Sequence, residues 1–137
     1  MTAFVVDSSV LHRLGKSDQV DERVAQLRRS GDLRACPIVT LEMGYSARNH
    51  AEWQRIVGVQ AATNSAPVTE AVMTRAMEIQ GQLARRGHHR VSLPDLIIAA
   101  AAEAVGVGVL HYDADYDVIA TATGQFVEWV VERGTLD

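Results

Sequence analysis

The sequence predicts an α/β fold: a short, mostly parallel central sheet flanked by helices. Three observations predict it. Short apolar runs at 3–7, 33–36, 109–112 and 126–131 alternate with segments of helical periodicity. Those runs are apolar on both faces, as strands of a sheet covered on both sides must be. The 137 residues, 47% hydrophobic and 22% charged, suit one domain, 1–137, with a core of its own.

The elements follow in order. Ala3-Phe-Val-Val-Asp7 reads as a buried strand ending in an acid, and Ser8-Ser9 opens a helix. Ser17 or Asp18 caps a second helix carrying Val20, Val24 and Leu27, which Gly31 ends. The strand at 33–36 is stopped by Pro37; helices are expected over 40–48, with Glu42 in the first turn, and over 51–57, ended by Gly58. Residues 59–66 are polar and leave room for a short strand. Thr69-Glu70 opens a helix with Val72, Met73, Ala76, Ile79 and Leu83 on one face, closing at Arg85-Arg86-Gly87. After a loop at 88–93, Ser92-Leu-Pro-Asp95 has the form of a capping box. The helix it opens, 96–105, is apolar almost all round and so buried. Gly106 and Gly108 break it before the strand at 109–112; a short helix at 116–120 and a last strand at 126–131 complete the chain.

Composition excludes several classes. The apolar content rules out a disordered chain, and the single cysteine, Cys36, rules out a disulfide scaffold and reads as a core residue. The longest apolar run, 96–109, is interrupted by Glu103 and too short to span a bilayer; Asp7 interrupts the first apolar stretch, so no signal peptide is expected. The expectation is a soluble cytoplasmic protein with no membrane partner. Net charge is −4, yet twelve of the 13 basic residues are arginines, the better bidentate readers of phosphate. Nucleic acid therefore stays open as a partner.

Ligands of an open parallel sheet bind outside the carboxyl ends of its strands. Asp7 and Asp113 end two strands, and Glu42 and Asp95 lie in helical first turns after strands, so all four acids belong to one rim. Singly, each has an ordinary structural explanation as a cap, a helix-dipole partner or a solvated turn. Together they crowd like charges, which raises pKa values unless a cation is present, and all-oxygen ligands suit Mg²⁺ or Mn²⁺. No thiolate cluster or paired-histidine spacing offers zinc a site.

The segments Val5-Val-Asp-Ser-Ser-Val10, Thr40-Leu-Glu42, His89-Arg-Val-Ser-Leu-Pro-Asp-Leu-Ile-Ile-Ala-Ala100 and His111-Tyr-Asp-Ala-Asp-Tyr-Asp-Val-Ile-Ala120 occur in that order. In this the chain resembles PIN-domain ribonucleases over essentially its whole length, and more closely the VapC-type toxins of bacterial type II toxin–antitoxin pairs. The resemblance implies a PIN-like three-layer fold and a metal-dependent endoribonuclease cleaving structured cellular RNA, tRNA or rRNA. It implies that Asp7, Glu42, Asp95 and Asp113 bind Mg²⁺, with Mn²⁺ as substitute. The family's last acidic motif varies in which aspartate points inward, which makes Asp115 a candidate fifth acid and leaves Asp117 open. Ser8 and Thr40 fall where family members often place a hydroxyl. The resemblance also implies a homodimer and a cognate VapB-type antitoxin wrapping the helices.

Substrate grip is expected from the densest basic cluster, Arg85, Arg86, His88, His89 and Arg90, just before Asp95. Leu41, Tyr45, Trp53 and Ile56 exceed what a small core needs and mark an interface, and Met43, Met73 and Met77 serve a core or a partner groove. Trp129, alternating with Val127 and Val131, is expected in the core. Rival readings lose on residue identity. A phosphoryl-transfer hydrolase wants a second aspartate where Ser9 stands, a phospho-receiver wants a late lysine where Lys16 is the only one, and a dinucleotide fold wants a glycine-rich loop. The remaining alternative, a non-catalytic PIN-fold interaction domain, would be marked by a missing acid, and none is missing.

Overall fold

Residues 2–136 are described by a computed structural model. Four short strands, β1 (Phe4–Val6), β2 (Leu33–Arg34), β3 (Gly108–His111) and β4 (Val127–Trp129), form one parallel sheet in the order β2-β1-β3-β4. The register pairs Phe4 with Leu33 and with Gly108, and Val109 with Val127. Seven helices connect and cover it: α1 (Ser8–Leu11), α2 (Asp18–Ser30), α3 (Pro37–Tyr45), α4 (His50–Ala61), α5 (Glu70–Ala84), α6 (Leu93–Ala104) and α7 (Asp115–Thr123). Every residue of β1 and β3 is buried, so both faces of the central strands are covered, as their unbroken apolar runs require. The α/β expectation holds, and all strand pairs are parallel.

Helix α6 is the inner helix. Ile98 and Ala99–Ala102 are fully buried, and the helix packs on β1, β3, α5 and α7. Its small side chains bring its backbone close to the sheet, which places its N-terminal turn at the rim. A bidentate ion pair joins it to α5, Arg75 donating to Glu103 from Nε at 2.7 Å and from Nη2 at 3.2 Å. On α5, Val72, Ala76, Ile79 and Leu83 face inward below the Thr69 cap, whereas Met73 and Met77 are exposed.

Several boundaries differ from expectation. Pro37 does not stop an element; it starts α3, where its fixed φ and missing N–H cost nothing, so Glu42 lies in the second turn and not the first. Helix α4 runs through Gly58 to Ala61, because a glycine ends a helix when its backbone turns left-handed, as at Gly31 (φ 74°), and Gly58 does not. The strand considered for 59–66 reduces to one bridge, Ser65 with Ala35. Ser17, not Asp18, caps α2, accepting from the Val20 N–H. Trp129 is only half-buried; it packs edge-on against His111 and Tyr112 and donates its indole N–H to Asp117 Oδ2 at 3.0 Å. Cys36 is buried as expected.

The surplus apolar residues of α3 and α4 stand at the surface: Tyr45 is 92% exposed, Leu41 70% and Trp53 44%, with Ile56 half-buried. Leu41, Tyr45 and Trp53 border a groove of about 810 Å³ between the two helices, and the Trp53 ring lies against Gly44. Among the described residues no helix is long and apolar enough to cross a membrane.

Gly108 lets β3 approach β1. A Cβ there would stand 2.9 Å from the ring of Phe4 and 3.1 Å from that of Phe126. Phe4 is a fully buried core residue and cannot swing away. Gly108→Ala is therefore expected to cost about 1–3 kcal/mol by overpacking, read as a drop in Tm of roughly 3–10 °C in a thermal melt. An unchanged Tm would show that the two rings yield.

Candidate metal centre

The carboxyl ends of β1 and β3 lie side by side at the middle of the sheet, and the acids gather there. Asp7 follows β1 and is 2% exposed. It does cap α1, its Oδ2 accepting the Ser9 N–H at 3.0 Å, but its other oxygen is turned to the site. Oδ1 accepts the phenolic O–H of Tyr116 at 2.7 Å. That same hydroxyl lies 3.2 Å from Oδ1 of Asp95, which is 4% exposed in the first turn of α6. Oδ2 of Asp95 is buried and has no hydrogen-bond partner.

Asp113, two residues beyond β3, accepts the Asp115 N–H on Oδ1 at 2.9 Å, and its own N–H donates to Nδ1 of His111 at 3.1 Å. Asp115, the first residue of α7, accepts the Ser92 N–H on Oδ2 at 2.9 Å. Glu42 reaches the rim from α3 and accepts the Ser8 hydroxyl on Oε1 at 3.1 Å. The expected capping box is thus absent. Ser92 is the N-cap residue, but its side chain makes no cap bond, and its N–H is taken by Asp115 from α7. A third-position acid ordinarily takes that N–H. Relieved of it, Asp95 faces the other acids.

The electrostatics follow from crowding. Burial, then the charges of Asp7 and Asp113, push the Asp95 carboxyl up to about 8. Burial first, and then Asp7, raise Glu42 too, against the pull of the Ser8 hydroxyl. Burial, Asp7 and Asp95 hold the Tyr116 phenol well above its usual range, so it remains a donor. His111 is fully buried between the rings of Tyr116 and Trp129, each 5.0 Å away, and burial lowers its pKa. It is neutral, and with Nδ1 accepting, its proton sits on Nε2.

Asp95, Asp113 and Asp115 each offer a carboxylate oxygen, the three atoms lying within 4.8 Å of one another. Trans ligands of an octahedral Mg²⁺ stand roughly 4.2 Å apart. Together with the orphaned Asp95 oxygen, an all-oxygen trio at this spacing fits a hard divalent cation. Asp7 and Glu42 lie beside the trio and are not members of it; Asp95 feels the charge of Asp7, and Glu42 feels those of Asp7 and Asp113. Asp117 is engaged by the indole of Trp129. Ser8 is at the rim as expected. Thr40 is not drawn to the acids: its hydroxyl donates to the Cys36 carbonyl one turn back, and it borders the α3–α4 groove. Arg85, Arg86, His88, His89 and Arg90 are all exposed in the connection that leads into α6. Tyr116 was not anticipated as part of the site; its position directly after Asp115 was the available signal.

Comparison with known proteins agrees with this geometry. The PIN domain family profile matches residues 4–122. Ribonuclease VapC51 of Mycobacterium tuberculosis is 43% identical over 134 residues, covering 98% of this chain and 97% of the relative. Ribonuclease VapC21 of the same organism is 42% identical over 137 residues, covering 98% of each. Among solved structures, DNA-bound VapBC from Salmonella typhimurium superposes with a TM-score of 0.74 at 18% identity, covering 96% of this chain and 100% of that one. VapBC-1 from nontypeable Haemophilus influenzae gives 0.74 at 17% identity, covering 95% and 99%. At these identities the structures show a shared fold.

Two outcomes are expected from the raised Asp95. The metal-free native state holds a proton that the unfolded chain, with an ordinary aspartate, releases; that stabilisation is full below about pH 4 and is lost as pH rises through about 8. Asp95→Asn, which mimics the protonated form, should raise Tm in EDTA at pH 9 by about 3 °C or more, with the gain shrinking as pH falls and vanishing below about pH 4. Cation binding must expel the same proton. Mn²⁺ affinity measured by calorimetry should therefore climb up to about tenfold per pH unit between about 6 and 8, then level off. A flat profile would mean that Asp95 is already ionised.

Proposed function

The chain belongs to the PIN domain family, and on that premise we propose that it is a VapC-type, metal-dependent endoribonuclease toxin that hydrolyses phosphodiester bonds in cellular RNA and is neutralised by a cognate VapB-type antitoxin. The observation that carries this reading is the trio of buried Asp95 with half-buried Asp113 and Asp115, and an Asp95 oxygen without a hydrogen-bond partner. The 43% identity to a VapC ribonuclease along nearly the whole chain supports it.

Asp95, Asp113 and Asp115 would hold the cation, Mg²⁺ with Mn²⁺ as substitute, and Asp7 and Glu42 would complete the acidic rim. When bound, such an ion supplies a water of lowered pKa and positive charge opposite the scissile phosphate. The side chains do the rest. The rim alone repels phosphate, so RNA entry depends on its charge being neutralised. Exposed Arg85, Arg86, His89 and Arg90 hold the RNA backbone beside α6, and the guanidinium groups of the three arginines suit phosphate. His111 is buried and neutral, and serves the site by fixing the backbone of Asp113 and not as a base in contact with RNA. In the free toxin the same rim suits a guanidinium from the antitoxin, which bonds carboxylates bidentately and excludes both cation and phosphate. The exposed faces of α3 and α4 support self-association into a homodimer. We place the protein in the cytoplasm with tRNA or rRNA as substrate.

Asp7→Asn, Asp95→Asn and Asp113→Asn should each lower RNA cleavage at least 100-fold without loss of fold, and EDTA should abolish cleavage by the wild type. Sequencing the 5′ ends created in cellular RNA after brief expression identifies the substrate. Cleavage that survives thorough chelation, or full activity in any of the three variants, rejects the assignment. Replacing the antitoxin's C-terminal arginines and lysines with alanine should restore cleavage while the complex persists. Continued inhibition would point to steric cover in place of charge capture.

A further inference from the structure

We propose that Tyr116 is a positioning residue of the metal centre: its phenolic O–H holds Oδ1 of Asp7 and Oδ1 of Asp95 together, so that Asp95 presents Oδ2 alone to the cation. The inference rests on the metal reading above and concerns a side chain that reading does not use.

Tyr116 is fully buried, its ring lying 5.0 Å from that of His111. Phenylalanine would fill the same space without burying a hydroxyl, and an unpartnered buried hydroxyl costs roughly 1–3 kcal/mol. Here the hydroxyl is placed 2.7 Å from one carboxylate and 3.2 Å from another that belong to different elements, Asp7 after β1 and Asp95 on α6. A phenol has one proton for two acceptors, and the shorter distance assigns it chiefly to Asp7. The longer contact settles which oxygen of Asp95 remains: Oδ1 is beside the phenol, and Oδ2 is left buried and unpartnered in a residue that offers an oxygen to the trio. Tyr116 also follows Asp115 directly, so the first turn of α7 carries both a candidate ligand and the group that orients another. Partners that orient metal ligands are commonly worth 10–100-fold in metal affinity.

A purely structural hydroxyl would stabilise the fold and leave cation affinity alone, and that difference is the test. Mn²⁺ binding to the whole protein is measured by calorimetry for the wild type and Tyr116→Phe, with thermal melts in EDTA and in Mg²⁺. The variant is expected to melt as a folded protein in EDTA, to bind Mn²⁺ about 10–100-fold more weakly, and to gain less Tm from Mg²⁺. Affinity within twofold of the wild type overturns the positioning role while leaving the metal centre intact. A wild type that binds no Mn²⁺ overturns the metal reading and this inference with it. If Tyr116→Phe does not fold, the wild type alone decides. With ¹³Cζ-labelled tyrosine, the Tyr116 resonance should move on addition of Mg²⁺ while that of exposed Tyr45 stays. An unmoved Tyr116 signal overturns the proposal.

Discussion

Like charges brought out of water at the end of a parallel sheet are the constraint to which the rest of the molecule answers. Asp7 and Asp95 are almost wholly buried, and Glu42, Asp113 and Asp115 crowd beside them. No arginine or lysine side chain forms an ion pair with any of them among the described residues. The fold relies instead on neutral donors: the Ser9, Asp115 and Ser92 N–H groups, the Ser8 hydroxyl and the Tyr116 phenol. Dipoles of this kind hold carboxylates in place without neutralising them. Burial, and after it the repulsion of Asp7 and Asp113, lifts the Asp95 carboxyl to about 8 and leaves the cluster receptive to a cation.

Topology makes the gathering possible. Because β1 and β3 are neighbours at the centre of the order β2-β1-β3-β4, residues distant in sequence leave the sheet side by side. Gly108 allows the two strands to meet over Phe4, and the alanine-rich inner helix brings its first turn to the same edge. The N-termini of α6 and α7 are then latched by the Ser92–Asp115 hydrogen bond. One bond serves as a helix cap, as a tether between two helices and as the release of Asp95 for other work.

The strand ends were legible in the sequence because a fully buried parallel strand is a plain apolar run, and an acid at its end marks the rim. That brought Asp7 and Asp113 to the rim, and the Ser92-Leu-Pro helix start brought Asp95 to the same edge. Glu42 was brought to the rim one turn deeper into its helix than expected, since Pro37 opens α3 and does not stop a strand. The capping box misled because local spacing cannot reveal that a donor will be claimed by another element: Ser92 and Asp95 have the right separation, and Asp115 intervenes from 23 residues away in sequence. Tyr116 carries only the faint signal of following Asp115, for a related reason. On a helix of apolar periodicity an aromatic residue reads as filling, and only the tertiary meeting of β1, α6 and α7 turns its hydroxyl toward two carboxylates. Thr40 shows the converse, a hydroxyl in the expected place whose hydrogen bond is satisfied within its own helix.

The ring series Trp129, His111 and Tyr116 has an optical consequence. Trp129 touches His111 edge-on, His111 packs on the phenol that bridges Asp7 and Asp95, and the indole N–H is anchored on Asp117. Indole emission responds to nearby charge and to the strength of its own hydrogen bond. The chain has two tryptophans, and the other, Trp53, sits on α4 beside the α3–α4 groove. One fluorophore therefore stands beside the acidic rim and the other beside the apolar face, so replacing either tryptophan with phenylalanine leaves a single intrinsic reporter for the other surface, without a label.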